Sequence, residues 1–160
     1  MAARKNSSAT KSAERETVIT HIINAPRALV FKAWTDPAHL ARWWGPHGFT
    51  NPVREVHLRP GGAIRIHMRG PDGTIYPMTG VYHEIVEAER LVFTSAALGK
   101  NGNPFSEVMN TVTFADHGGS TKLTIHARVA RVTAEAAPFL AGMEQGWSQS
   151  LDRLADEVAL

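Results

Sequence analysis

Cysteine is absent from the 160-residue chain, which excludes disulfides, thiolate zinc sites, iron–sulfur clusters and thiol nucleophiles. Long apolar runs are absent too. No stretch approaches the roughly 20 residues of a membrane helix, and the N-terminus lacks the apolar segment of a secretory signal. A cytoplasmic protein that engages no membrane is therefore expected. Charge of one sign is also scarce: the formal net charge is +2, and residues 1–15 supply +3 of it through Arg4, Lys5, Lys11 and Arg15 against Glu14. Subtracting that segment leaves residues 16–160 at −1, so no nucleic-acid surface is expected. Large apolar residues are missing from the same first 15 positions after Met1, and such a stretch buries too little surface to offset its ordering entropy. It is predicted to be a disordered tail ahead of one domain over residues 16–160.

Structure begins with the β-branched run Thr17-Val18-Ile19-Thr20-His21-Ile22-Ile23, a strand stopped by Asn24-Ala25-Pro26. A short helix carrying Val30, Phe31 and Trp34 on one face should follow. Asp36-Pro37 then supplies an N-cap and a first-position proline for a second helix, with Leu40, Trp43 and Trp44 on its inner side. Gly45-Pro46-His47-Gly48 ends it. Six further strands are predicted near 52–59, 63–69, 74–87, 90–98, 107–116 and 120–130, separated by Gly, Pro, Asn and Asp turn chemistry. Period-two alternation places Val56, Leu58, Ile64, Ile66, Met68, Val112, Phe114, Leu123, Ile125, Ala127 and Val129 on one face, opposite His57, Arg65, His67, Arg69, Thr124, His126 and Arg128. The period then changes: Leu140, Met143, Trp147, Leu151, Leu154 and Val158 form the stripe of one long amphipathic helix, starting near Thr133 unless Pro138 delays it. This is an α+β order in which a curved antiparallel sheet of about seven strands covers a long C-terminal helix. Bending is easiest at Gly61, Gly62 and Gly80.

Catalytic constellations are sparse. Gly146-Trp147-Ser148-Gln149-Ser150 lacks the closing glycine of a nucleophile elbow and falls within the helical pattern. Eight histidines occur without metal-ligand spacing, and His57, His67 and His126 alternate onto the wet face, so no metal site is expected. Glu84 and Glu107 are the carboxylates nearest a cavity mouth, and ion pairing with Arg90 or Arg65 competes with any role as a base. No glycine-rich phosphate loop opens a helix, and no cofactor is expected. The aromatic and methionine positions speak more strongly. Trp34, Trp44, Met68, Met78, Tyr82, Phe93, Phe114, Met143 and Trp147 fall on inward faces or helix ends, and as a set they suit a pocket for an apolar or aromatic small molecule, with Tyr82 as the polar handle.

Several blocks together resemble a known family. They are Asn24-Ala25-Pro26 with Val30-Phe31-Lys32-Ala33-Trp34, Asp36-Pro37 through Leu40-Ala41-Arg42-Trp43-Trp44-Gly45, Leu58-Arg59-Pro60-Gly61-Gly62, Met68-Arg69-Gly70-Pro71-Asp72-Gly73, Gly80-Val81-Tyr82-His83-Glu84-Ile85, Glu89-Arg90-Leu91-Val92-Phe93 and Gly142-Met143-Glu144-Gln145-Gly146-Trp147. Over nearly all of residues 16–159 the chain is similar to the activator of heat-shock protein 90 ATPase homologue-like domains of the START and polyketide-cyclase superfamily. The resemblance implies a helix-grip fold and a cavity between sheet and long helix. That superfamily includes lipid carriers, hormone receptors, aromatase/cyclase subunits and self-sacrificing resistance proteins, so fold alone does not assign activity. The namesake co-chaperones carry a separate N-terminal domain that engages the chaperone, where this chain has a short polar segment. The expectation is a carrier or sensor of an apolar, aromatic or lipid-like molecule, without enzymatic activity. A cyclase- or hydrolase-like enzyme using the same cavity, and a chaperone-associated or stress-related interaction module, are the alternatives. A homodimer and a chaperone partnership both stay open.

Overall fold

The computed structural model describes residues 16–133 and 137–159, without the side chains of 131 and 137–141. The expected tail and the side chains of Pro138 and of Leu140 in the helical stripe lie outside what is described.

The sheet has seven strands: β1 Glu16–Ile23, β2 Thr50–Val56, β3 Ala63–Arg69, β4 Ile75–Val86, β5 Arg90–Leu98, β6 Pro104–His117 and β7 Ser120–Val132. Helix α1 spans Arg27–Thr35, α2 Pro37–Trp43 and the C-terminal α3 Ala137–Val158. Strand order is β1-β7-β6-β5-β4-β3-β2, every pair antiparallel, so the meander from β2 to β7 is closed at its far end by the first strand. This is the helix-grip arrangement. Curvature comes from bulges between Tyr82 and Glu84 and between Glu107 and Val108, and from glycines where no side chain fits. A Cβ at Gly80 would collide with the Thr94 carbonyl oxygen, and one at Gly62 with that of His57.

Alternation places the core as expected from Ile64 and Ile66 through Val112, Phe114, Leu123, Ile125, Ala127 and Val129, all buried. Val56 and Met68 pack against that core only partly buried. Leu58 departs from the pattern: it is 45 % exposed, because β2 ends at Val56 and the chain leaves the ladder for the Pro60-Gly61 turn. Proline marks two strand boundaries as well. β2 extends back to Thr50 through Pro52, which an edge strand tolerates, and β6 begins at Pro104 at its first position.

The junction of α1 and α2 shows how local sequence dictates packing. Asp36 caps α2, its carboxylate accepting from the Ala38 N–H at 2.9 Å, and Pro37 takes the first helical position. Proline has no N–H, so the Ala33 carbonyl four residues earlier loses its ordinary helical partner. The Trp43 indole takes that place, its Nε1 donating to Ala33 O at 2.9 Å.

Helix α3 is described over Ala137–Val158, and the expected start near Thr133 falls against residues 134–136, which lie outside the described residues. It buries Met143, Leu151, Leu154 and Val158 and packs on α1, α2 and β1. Among the described residues, its polar ties come from the C-terminal half. Arg153 donates to the carbonyls of Arg42 (2.9 Å), Trp44 (3.1 Å), Gly45 (2.9 Å) and Pro46 (3.0 Å), the end of α2 and the loop after it. Partial burial lowers the pKa of its guanidinium. Glu157 accepts from Arg42 at 3.0 Å and lies 2.8 Å from His39 Nδ1, and Gln149 accepts from the His47 N–H at 3.2 Å.

Candidate functional site

Four tryptophans account for every indole in the chain, and the structure brings all of them together where α1, α2 and α3 meet the concave sheet face. Trp34 is the hub. Its ring centroid lies 4.8 Å from Trp43, 5.9 Å from Trp44, 5.8 Å from Trp147, 6.3 Å from Phe114 and 6.4 Å from Phe93. Only Trp147 stacks on it, at an interplanar angle of 26°.

Beside this cluster lies a cavity. Its walls are Trp34 from α1, Leu40 from α2, Trp44 just after α2, Val56 from β2, Ile64 and Ile66 from β3, Tyr82 from β4, and Leu91 and Phe93 from β5. No charged side chain is among them. The accessible volume is about 10 Å³, room for about one water molecule. A drug-sized ligand needs a pocket on the order of 300 Å³ or more, so the space is closed in this conformation.

The sequence-predicted site residues divide accordingly. Trp34, Trp44, Tyr82 and Phe93 line the cavity; Trp147 covers Trp34; Met78, Phe114 and Met143 are buried core side chains; and Met68 is partly buried against Gly45. Sequence reasoning treated the aliphatic walls Leu40, Val56, Ile64, Ile66 and Leu91 as core or framework, since alternation reports an inward direction and not a wall. Glu84 pairs with Arg90 at the β4 bulge, away from the cavity lining. Glu107 alternates with the buried Ser106 and Val108. The Ser150 hydroxyl donates back to Gly146 O at 3.0 Å within the helix.

One polar group on the cavity wall lacks the partner that a buried group normally has. Trp34 is 2 % exposed, and its Nε1 has no hydrogen-bond partner among the described residues. Such an orphan costs about 1–3 kcal/mol of desolvation. Tyr82 is 3 % exposed, and burial pushes its hydroxyl pKa up from 10 to about 12. A raised folded-state value means the hydroxyl's contribution to stability is complete below pH 10 and lost as pH rises toward 12. Tyr82→Phe is therefore expected to change stability little at pH 7. It should flatten the alkaline loss between pH 10 and 12 by roughly 2–3 kcal/mol, measured by urea denaturation at each pH. An alkaline limb unchanged by the substitution would refute the assignment.

Comparison with known proteins agrees with this architecture. The family model described as "Activator of Hsp90 ATPase homolog 1-like protein" matches residues 24–159. No functionally curated protein matches the chain. Among solved structures, a Chromobacterium violaceum protein is 28% identical with a TM-score of 0.78, covering 91% of this chain and 98% of its own. One from Arthrobacter aurescens is 24% identical with a TM-score of 0.82, covering 92% and 88%. The AHSA1 protein of Silicibacter pomeroyi is 22% identical with a TM-score of 0.76, covering 90% and 97%. With a family match spanning most of its length and the helix-grip architecture around an aromatic cluster, the chain belongs to the activator of Hsp90 ATPase homolog 1-like family.

Proposed function

We propose that the chain is a carrier or sensor that holds a small, neutral, largely apolar molecule between the concave sheet face and the helices that cover it. The observation that carries this reading is the cavity wall: nine side chains, five of them aliphatic, three aromatic hydrocarbon or indole rings, and Tyr82 as the one titratable group. With a pKa near 12, Tyr82 stays neutral at physiological pH and does not serve as a general base there. This favours binding over cyclase- or hydrolase-like chemistry in the same space.

Filling the site requires it to widen, and α3 is built unevenly enough to allow that. Its ties through Gln149, Arg153 and Glu157 hold the C-terminal half, whereas Gly142 and Gly146 weaken the other half. Neither glycine is demanded by packing: a Cβ at Gly142 meets nothing within 4 Å, and one at Gly146 touches only Pro46 at 4.0 Å. Movement of that half carries Trp147 off Trp34 and opens the wall beside the half-buried Trp44.

Two measurements test the reading. Native mass spectrometry of freshly purified protein, followed by denaturing extraction, should find a stoichiometric neutral passenger; protein that is consistently empty, and that takes up no added apolar ligand, would count decisively against it. The double variant Gly142→Ala, Gly146→Ala should gain about 1–2 kcal/mol of stability and take up the same ligand more slowly in stopped-flow fluorescence. Unchanged uptake would show that α3 is not the moving part.

A further inference from the structure

The two buried indoles at the α1–α2 junction use their N–H groups differently. Trp43 spends its donor on the fold, supplying the Ala33 carbonyl that Pro37 leaves without a partner. Trp34, whose ring lies 4.8 Å away and is also buried, donates to nothing among the described residues, and it is Trp34 that lines the cavity. The structure can pair a buried indole when the bond serves folding, and the unpaired one belongs to a side chain of the cavity wall, whose other residues are apolar apart from Tyr82.

We propose, as a deepening of the binding reading above and resting on it, that the ligand carries one neutral hydrogen-bond acceptor of the carbonyl or ether type. This acceptor takes the indole N–H of Trp34, with the Tyr82 hydroxyl as the second polar group of the same cavity, while a flat apolar body replaces Trp147 on the Trp34 ring.

Three features restrict the class. The missing bond is a donor's, so the ligand must supply an acceptor. No cation lines the cavity to compensate a carboxylate or phosphate, and Arg153, the cationic side chain reaching the α2 end, is spent on four backbone carbonyls. The present volume of about 10 Å³ admits no more than a single oxygen-sized group, which suits one small acceptor and not a larger polar headgroup. The ring of the ligand then needs only the room that Trp147 gives up. Other buried polar atoms without partners point elsewhere: Asn51 already donates to Ala41 O and Trp44 O, and neither Asn51 nor Ser106 borders the cavity.

The test uses the full chain and two probes of nearly equal shape, 2-acetylnaphthalene and 2-isopropylnaphthalene, which differ in having or lacking the acceptor. Affinities come from calorimetry, and the four indole N–H signals are followed in ¹H–¹⁵N correlation spectra with side-chain assignments. The ketone should bind about tenfold more tightly than the hydrocarbon, the Trp34 indole signal should move downfield on its addition, and Tyr82→Phe should narrow the preference. Trp34→Phe should abolish it; if that variant does not fold, the assigned Trp34 shift in the wild type carries the same information. Equal affinities would overturn the acceptor while leaving an apolar site intact. An ordered water that keeps its cross-peak to the Trp34 N–H in the saturated ketone complex would overturn it too, by showing that water is the partner. Binding of neither probe, with no passenger in native mass spectrometry, would remove the binding reading and this inference together.

Discussion

Replacing Trp43 by alanine is expected to lower the unfolding free energy by about 3–5 kcal/mol, the range for truncating a fully buried large aromatic side chain. Trp43 is 0 % exposed, contacts Trp34 edgewise and Trp44 at a tilt, and holds the Ala33 carbonyl across the helix junction. The substitution therefore leaves a cavity and an unmet acceptor at once. Equilibrium urea unfolding with an unchanged m-value checks it. Trp147→Ala is the internal control: a half-buried ring covering one face of Trp34 should cost less than half as much. Equal losses would mean that Trp147 is core in solution and not a removable cover.

Arg153→Met should be the next most damaging change, at about 2–4 kcal/mol, since hydrogen bonds from a charged donor contribute roughly 1.5–3 kcal/mol each and do not add fully. The methionine preserves most of the aliphatic volume, so the loss reports the guanidinium. Four carbonyls lose a donor; that of Trp44 keeps one from Asn51 and that of Pro46 keeps the Phe49 N–H, while no other donor among the described residues is shown for those of Arg42 and Gly45. Arg153→Lys should recover only part, because an ammonium lacks the planar fork that spans several carbonyls. Full rescue by lysine would show that charge, and not geometry, ties α3 to the end of α2.

Much of this architecture is legible in the residue pattern, and the exceptions have physical reasons. Alternation located the inner face because each strand is wet on one side, and it failed at Leu58 where no ladder continues to enforce the pleat. The stripe from Met143 to Val158 predicted α3, which is described over Ala137–Val158. Hydrophobicity identified the aromatic half of the site. It could not separate Ile64 and Ile66, which border the cavity, from Ile125, which is simply buried, because that distinction depends on which side chains on α1 and α2 fail to fill the space above them. Arg153 left no trace in spacing: on a helical wheel it is one of several polar residues beside the stripe, and only the position of the α2 carbonyls gives it a task. The orphan donor of Trp34 was equally invisible, since a tryptophan at this position reads the same with or without a partner.

The gathering of all four indoles into one cluster also decides what light can report about this molecule. Adjacent ring centroids lie 4.8–5.9 Å apart, close enough for excitation to pass among the rings before emission, so they act as one chromophore. Intrinsic tryptophan emission is consequently blind to the β6–β7 turn and to the outer sheet face. It records the joining and parting of α1, α2 and α3, and a fluorescence transition that precedes the loss of strand dichroism would be the optical signature of that junction coming apart first.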